Sequence, residues 1–119
     1  MVGDCLFCKM AAGTVPVPKV YEDAEYLCIR DIRPQARIHL LVMPKEHVAS
    51  LEAAFPDHGP ARSEMVGRLF EIAARIARQQ GLLPDGFRSV INTNSHGGQT
   101  VFHLHLHLLG GEPLGGAFA

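Results

Sequence analysis

Apolar and polar positions change their period several times along this chain, and each change marks an element. Residues 6–12 form a short, mostly apolar run closed by Gly13, Pro16 and Pro18, which predicts a brief helix and an extended lead-in behind it. Residues 20–22 and 26–30 are rich in β-branched and aromatic side chains, and the polar Asp23-Ala24-Glu25 between them predicts a hairpin. After Pro34-Gln35-Ala36, residues 37–43 are almost continuously apolar, as expected of a mostly buried third strand, and Pro44 stops the run. One or two helical turns are expected in 48–54, then a loop with Pro56, Gly59 and Pro60.

Over 63–80 the period becomes helical. Val66, Leu69, Phe70, Ala73, Ile76 and Ala77 form the expected apolar face, with Arg68, Glu71, Arg75 and Arg78 elsewhere on the cylinder and Gly81 placed to end it. A fourth strand is expected at 87–92, a turn-rich loop at 94–98 and a fifth strand at 100–109, followed by a glycine-rich tail. Successive strands with one main helix between the third and fourth predict an α+β fold, an antiparallel sheet packed on a helix. No internal repeat or low-complexity tract is present, and 119 residues with 47% hydrophobic side chains suit one domain spanning 1–119.

The fifth strand carries the chemistry. His103, His105 and His107 alternate with Leu104, Leu106 and Leu108, so an extended chain aims three imidazoles at one face and three leucines at the other. One metal does not explain all three. Ligand nitrogens in a tetrahedral zinc site lie roughly 3 Å apart, whereas Cα atoms four residues apart on a strand are separated by about 13 Å. Adjacent members of the row can share an ion; the outer two cannot. A neutral imidazole attacks phosphorus when one ring nitrogen is held as a donor by a carbonyl and the other keeps its lone pair, and His105 suits that role. A protonated neighbour, His107, would neutralise phosphate charge or protonate a leaving group. Just upstream, Gly97-Gly98 lets backbone N–H groups approach an anion, and Gln99 and Thr100 add a carboxamide and a hydroxyl, together a phosphate cradle.

Charge narrows the partners. Eleven basic and twelve acidic residues give a formal net charge of −1, without the basic footprint of a nucleic-acid or anionic-membrane binder. The N-terminus lacks a signal-like pattern, no apolar run is long enough to span a bilayer, and a cytoplasmic location is expected. Three cysteines suit metal or redox chemistry better than a disulfide framework. Cys5 and Cys8, spaced Cys-x-x-Cys, offer half of a zinc site; His39, His47, His58, His96 and the row itself are candidates for the other half.

The run from His103 to Leu109, preceded by Gly97-Gly98-Gln99-Thr100-Val101-Phe102, resembles the signature of the histidine-triad (HIT) nucleotide-binding family, His-φ-His-φ-His-φ-φ with φ apolar. The segments 31–36, 39–47 and 108–111 are similar to its Hint branch. This resemblance implies a five-stranded antiparallel sheet with one main helix and a short N-terminal helix, the sheet continuing across a homodimer. It implies hydrolysis of purine nucleoside 5′-phosphoramidates through a nucleotidyl-histidine on His105, with His107 on the α-phosphate and His39 behind the nucleophile, orienting it. Asn92, Gly98, Gln99 and Thr100 would complete the phosphate shell, Asp31 would hold the ribose, and Leu6, Phe7, Met10, Ile29 and Ile32 would enclose the purine. By the same resemblance, Cys5, Cys8, His47 and His103 would hold a structural zinc, with no metal required for the chemistry.

Thr100 stands where serine is more usual, and the tail lacks a tryptophan found near the C-terminus of some Hint members, which bears on the leaving group. Rival readings are a dinucleoside polyphosphate hydrolase or nucleotidyltransferase on the same scaffold, a non-catalytic nucleotide-binding or interaction module, and a zinc hydrolase with His103 and His105 as ligands.

Overall fold

The first helix is opened by a cysteine. In the computed structural model, which describes residues 2–116, the Cys5 thiol accepts the Cys8 N–H as the cap of α1 (Leu6–Ala12), and Gly13 closes the helix at φ 81°. The expected hairpin follows as β1 (Lys19–Glu22) and β2 (Tyr26–Arg30), its turn built on the Asp23 carboxylate accepting the N–H groups of Glu25 and Tyr26. Next come β3 (Ile38–Pro44), the single turn α2 (Leu51–Ala54), the long α3 (Ser63–Gln79), β4 (Phe87–Val90) and β5 (Leu106–Gly110). One five-stranded antiparallel sheet results, in the order β1-β2-β3-β5-β4. The ends of the N-terminal segment and of the glycine-rich tail, residues 1 and 117–119, lie outside the described residues.

Strand alternation sorts the sheet into two faces. Tyr26, Cys28, Leu40, Val42, Leu106 and Leu108 pack against Met65, Leu69, Ile72, Ala73, Ile76 and Ala77 of α3. Burying each such aliphatic side chain contributes about 1.5–3 kcal/mol. The opposite face carries a smaller cluster, Phe7, Leu27, Ile29, Leu41 and Met43, covered by α1. This second face also presents His107, which pairs with Leu41, and His39, which pairs with Leu109.

Two expectations are corrected. The apolar face of α3 is rotated from the one expected: Met65 and Ile72 are buried, whereas Phe70 is 45% exposed. Phe70 lies about 100° round the helix from Leu69, at the rim, while Ile72 falls on the stripe with Leu69 and Ile76. The helix ends as expected, with Gly81 at φ +76° and the N–H groups of Gly81 and Leu82 closing on the carbonyls of Arg78 and Ala77.

The histidine strand is also shorter than expected. Pairing of β3 with β5 stops at Val42 and Leu106; the same register continued would set Leu104 against Pro44, which has no N–H to give. The Leu104 N–H turns instead to the Val48 carbonyl at 2.7 Å. His103 and His105 therefore precede the strand, and of the row His107 alone belongs to it.

Candidate functional site

The backbone assigns each imidazole its tautomer. His103 is fully buried, and its Nε2 lies 2.7 Å from the Pro44 carbonyl, which can only accept. Nε2 thus carries the proton and Nδ1 keeps its lone pair. That Nδ1 faces two sulfurs, Cys5 Sγ at 3.3 Å and Cys8 Sγ at 3.5 Å. Cys8 Sγ in turn lies 3.2 Å from His47 Nδ1, and the four ligand atoms fall within 4.8 Å of one another. Two sulfurs and two imidazole nitrogens at this spacing are a donor set that can hold a metal ion, and the carbonyl behind His103 is the outer partner such a ligand needs. Burial beside Cys5 pushes the Cys8 thiol up to about 11, so loading a metal here releases a proton. His58 and His96, also candidates from composition, are exposed and stand apart from this group.

His105 has the opposite arrangement. Its Nδ1 lies 2.7 Å from the His103 carbonyl, so Nδ1–H donates and Nε2 keeps the lone pair. Phe7 packs edge-on against both His103 and His105, with ring centroids 5.8 and 5.2 Å apart, which holds the two rings in place. His105 is not in the four-residue metal group, against the reading of His103 and His105 as joint ligands. Burial lowers its pKa and that of His103, so each favours the neutral imidazole.

The third ring is set by a relay. The Gln35 N–H donates to His39 Nδ1 at 3.0 Å, which puts the His39 proton on Nε2, and Nε2 stands 2.9 Å from His107 Nδ1. His107 Nδ1 therefore accepts, and its own proton sits on Nε2. His39, expected behind the nucleophile, instead orients His107; His105 is oriented by the chain. Burial, with His105 and His39 alongside, pushes the His107 pKa down to about 4. In the free protein at neutral pH this ring offers an N–H rather than the positive charge expected of it. Asp31 Oδ2 lies 3.4 Å from His39 Nε2, making Asp31, His39 and His107 a second compact polar group. Its donor set does not suit a metal, because the Gln35 N–H occupies Nδ1 of His39 and leaves Nε2 protonated.

The remaining expected residues divide. Phe7 and Ile29 belong to the buried cluster on this face and Met10 packs against it, whereas Leu6 is 47% exposed and Ile32 90% exposed. Asp31 Oδ1 accepts the Arg33 N–H, which orients the carboxylate at the end of β2. The loop before the row turns through residues 95–97, and Gly98 takes φ +82°, a left-handed conformation that favours glycine. Asn92 is half-buried and Thr100 exposed beside this loop. Gln99 is buried and turned inward, its carboxamide bonded to the Ala49 and Val101 carbonyls and to the Asn94 N–H. Sequence reasoning missed the groups that fix the tautomers, the Pro44 and His103 carbonyls and the Gln35 N–H. Backbone acceptors and donors leave no mark on residue type.

Among the described residues no helix is long and apolar enough to cross a membrane. A family model described as the HIT domain matches residues 12–114. The chain is 47% identical to the protein HitA of Neisseria gonorrhoeae, over 90% of this chain and 95% of that one. It is 41% identical to the purine nucleoside phosphoramidase of Escherichia coli strain K12, over 97% of this chain and 93% of that one. Among solved structures, a HIT family hydrolase from Legionella pneumophila superposes with a TM-score of 0.86 at 45% identity, covering 96% of this chain and 98% of that one. A zinc-bound histidine triad family protein from Mycobacterium smegmatis superposes at 0.75 with 38% identity, covering 92% of this chain and 76% of that one. With the three differently held histidines at the start of the fifth strand of a five-stranded antiparallel sheet, the match establishes that this chain belongs to the HIT family.

Proposed function

We propose that the protein is a hydrolase of purine nucleoside 5′-phosphoramidates, with His105 as the nucleophile. The observation that carries the reading is the 2.7 Å bond from His105 Nδ1–H to the His103 carbonyl, which leaves Nε2 as a neutral, oriented lone pair. Attack of Nε2 on the α-phosphorus forms an N–P bond while the P–N bond to the leaving amine breaks. The amine departs with a proton. His107, whose Nδ1 stays occupied by the His39 Nε2–H, donates its own Nε2–H to a phosphate oxygen, and the leaving nitrogen takes its proton from solvent. Water then attacks the phosphorus of the nucleotidyl-histidine and gives its proton to solvent, the N–P bond breaks, and nucleoside monophosphate leaves with His105 restored to its neutral form.

Backbone N–H groups around Gly98, with Asn92 and Thr100, hold the phosphate oxygens. Asp31 accepts from the ribose hydroxyls, and the apolar groups around Phe7 and Ile29, with Leu6, Met10 and Ile32, border the base. The phosphoramidase activity named for the 41% identical relative supports this substrate class. Zinc suits the Cys5, Cys8, His47 and His103 donor set; bound there, it would tie α1 and its Phe7 to the row as a structural staple. A homodimer with a continued sheet and a cytoplasmic location belong to the same reading. The test is incubation with an AMP phosphoramidate and intact mass measurement: an acid-labile nucleotidyl adduct is expected on His105 and none on His105→Ala. Wild-type turnover by His105→Ala refutes the mechanism, and cleavage of dinucleoside polyphosphates without P–N cleavage refutes the substrate class.

A further inference from the structure

Gln99 is 6% exposed, and its carboxamide is spent on the backbone. Oε1 accepts the Asn94 N–H at 2.9 Å, while Nε2 donates to the Ala49 carbonyl at 2.8 Å and the Val101 carbonyl at 3.1 Å. A carboxamide has two N–H donors. Both are in use, so none remains for a phosphate.

The loop that Gln99 closes has little else to hold it. Residues 94–98 are exposed, and their bonds to one another, Gly97 N–H to Asn94, Gly98 N–H to Ser95 and Gln99 N–H to Asn94, lie within the loop. Asn94 stands at φ 60°, ψ −173°, a conformation that a residue with a side chain keeps only when its surroundings enforce it. Two side-chain contacts reach outward, Gln99 to Ala49 and Asn94 Nδ2 to Glu52 Oε1 at 2.8 Å. Both end on one stretch, residues 47–52. The same stretch supplies His47 to the metal group and the Val48 carbonyl to Leu104, between the first two histidines of the row.

We infer that Gln99 is a positioning residue: it clamps the anion-binding loop to residues 47–52 and does not itself touch the phosphate. The loop's ligand is taken from the function proposed above; the clamp is a property of the free protein. Three readouts test it on the full-length, zinc-loaded chain. Hydrogen exchange in the free wild type will show the Asn94 amide protected despite its exposed position, and Gln99→Met, similar in length without the hydrogen bonds, will speed that exchange at least about tenfold while β3 amides stay unchanged. Gln99→Met will weaken AMP binding about tenfold by calorimetry, and will raise the phosphoramidate KM about tenfold with kcat held within about threefold. If Gln99→Met does not fold, AMP titration of the wild type followed by NMR decides: the Gln99 carboxamide signals will shift less than the Gly98 and Thr100 backbone amides. An unprotected Asn94 amide in the wild type, or a carboxamide shift larger than those amides show, overturns the inference. A wild type that binds AMP but turns over no phosphoramidate refutes the proposed reaction instead, and the exchange and AMP readouts still decide the clamp.

Discussion

Replacing His39 by phenylalanine tests whether the relay onto His107 matters to the chemistry. The ring is 6% exposed and makes two hydrogen bonds, from Gln35 N–H and to His107 Nδ1. Phenylalanine fills similar space but makes neither. The Gln35 N–H belongs to an exposed residue and recovers water, so the main loss is the bond to His107, about 1–2 kcal/mol of stability. For a domain of this size that is a fall of roughly 4–8 °C in thermal midpoint. The catalytic effect follows from tautomer control. With the His39 donor gone, His107 loses a bias of about 1–1.5 kcal/mol toward its Nε2–H form, which is roughly tenfold in population and hence roughly tenfold in kcat/KM.

Steady-state hydrolysis of an AMP phosphoramidate reads the rate, and ¹⁵N shifts of the His107 ring read the tautomer. His39→Gln, which offers both a donor and an acceptor, is expected to recover part of the loss. His105→Ala should cost far more, because it removes the atom proposed to attack. A His39→Phe enzyme within twofold of wild type, or one whose His107 keeps a single tautomer, refutes the relay.

His107 itself predicts an acid response. Its pKa of about 4 lies below the ordinary histidine value of 6.5, so as pH falls the unfolded chain takes up the proton first. Stability is whole above about pH 6.5 and is lost progressively as pH drops toward 4. The loss is about 1–2 kcal/mol, discounted for a ring that is partly exposed. NMR titration of the ring with a midpoint near 6.5 would contradict this. For the metal group, elemental analysis should find roughly one zinc per chain, with zinc lost from Cys8→Ser and a lower thermal midpoint after chelation; an unchanged midpoint in metal-free protein counts against a structural role. The corrected face of α3 makes Ile72→Ala cost about 2–5 kcal/mol in denaturant unfolding and Phe70→Ser less than about 1. Equal costs would mean that the face is misassigned.

Where residue type alone decides the backbone, the sequence is a good guide. The Gly13 and Gly81 stops, the Asp23 turn and the β2 and β3 strands follow from propensity and period, and they stand where expected; the Cys5 cap does not, since cysteine is not a favoured capping residue. Phe70 stands at the rim and Ile72 on the buried stripe because a helical period fixes the spacing of a face better than its centre. The fifth strand failed for another reason. Alternation of histidine and leucine reads as a ladder, but a ladder needs a partner, and opposite Leu104 the partner would be Pro44. The two ends of the row consequently obey different constraints. His107 is held by sheet register, whereas His103 and His105 are held by carbonyls that their own rings and the Leu104 amide select. Three identical side chains become distinct because the second nitrogen of each meets a different partner: the Pro44 carbonyl, the His103 carbonyl and the His39 ring. Spacing shows that the three cannot share one metal. Only the folded backbone shows which nitrogen of each ring is free, and that choice separates the ring whose Nδ1 faces two thiols from the one whose Nε2 keeps its lone pair.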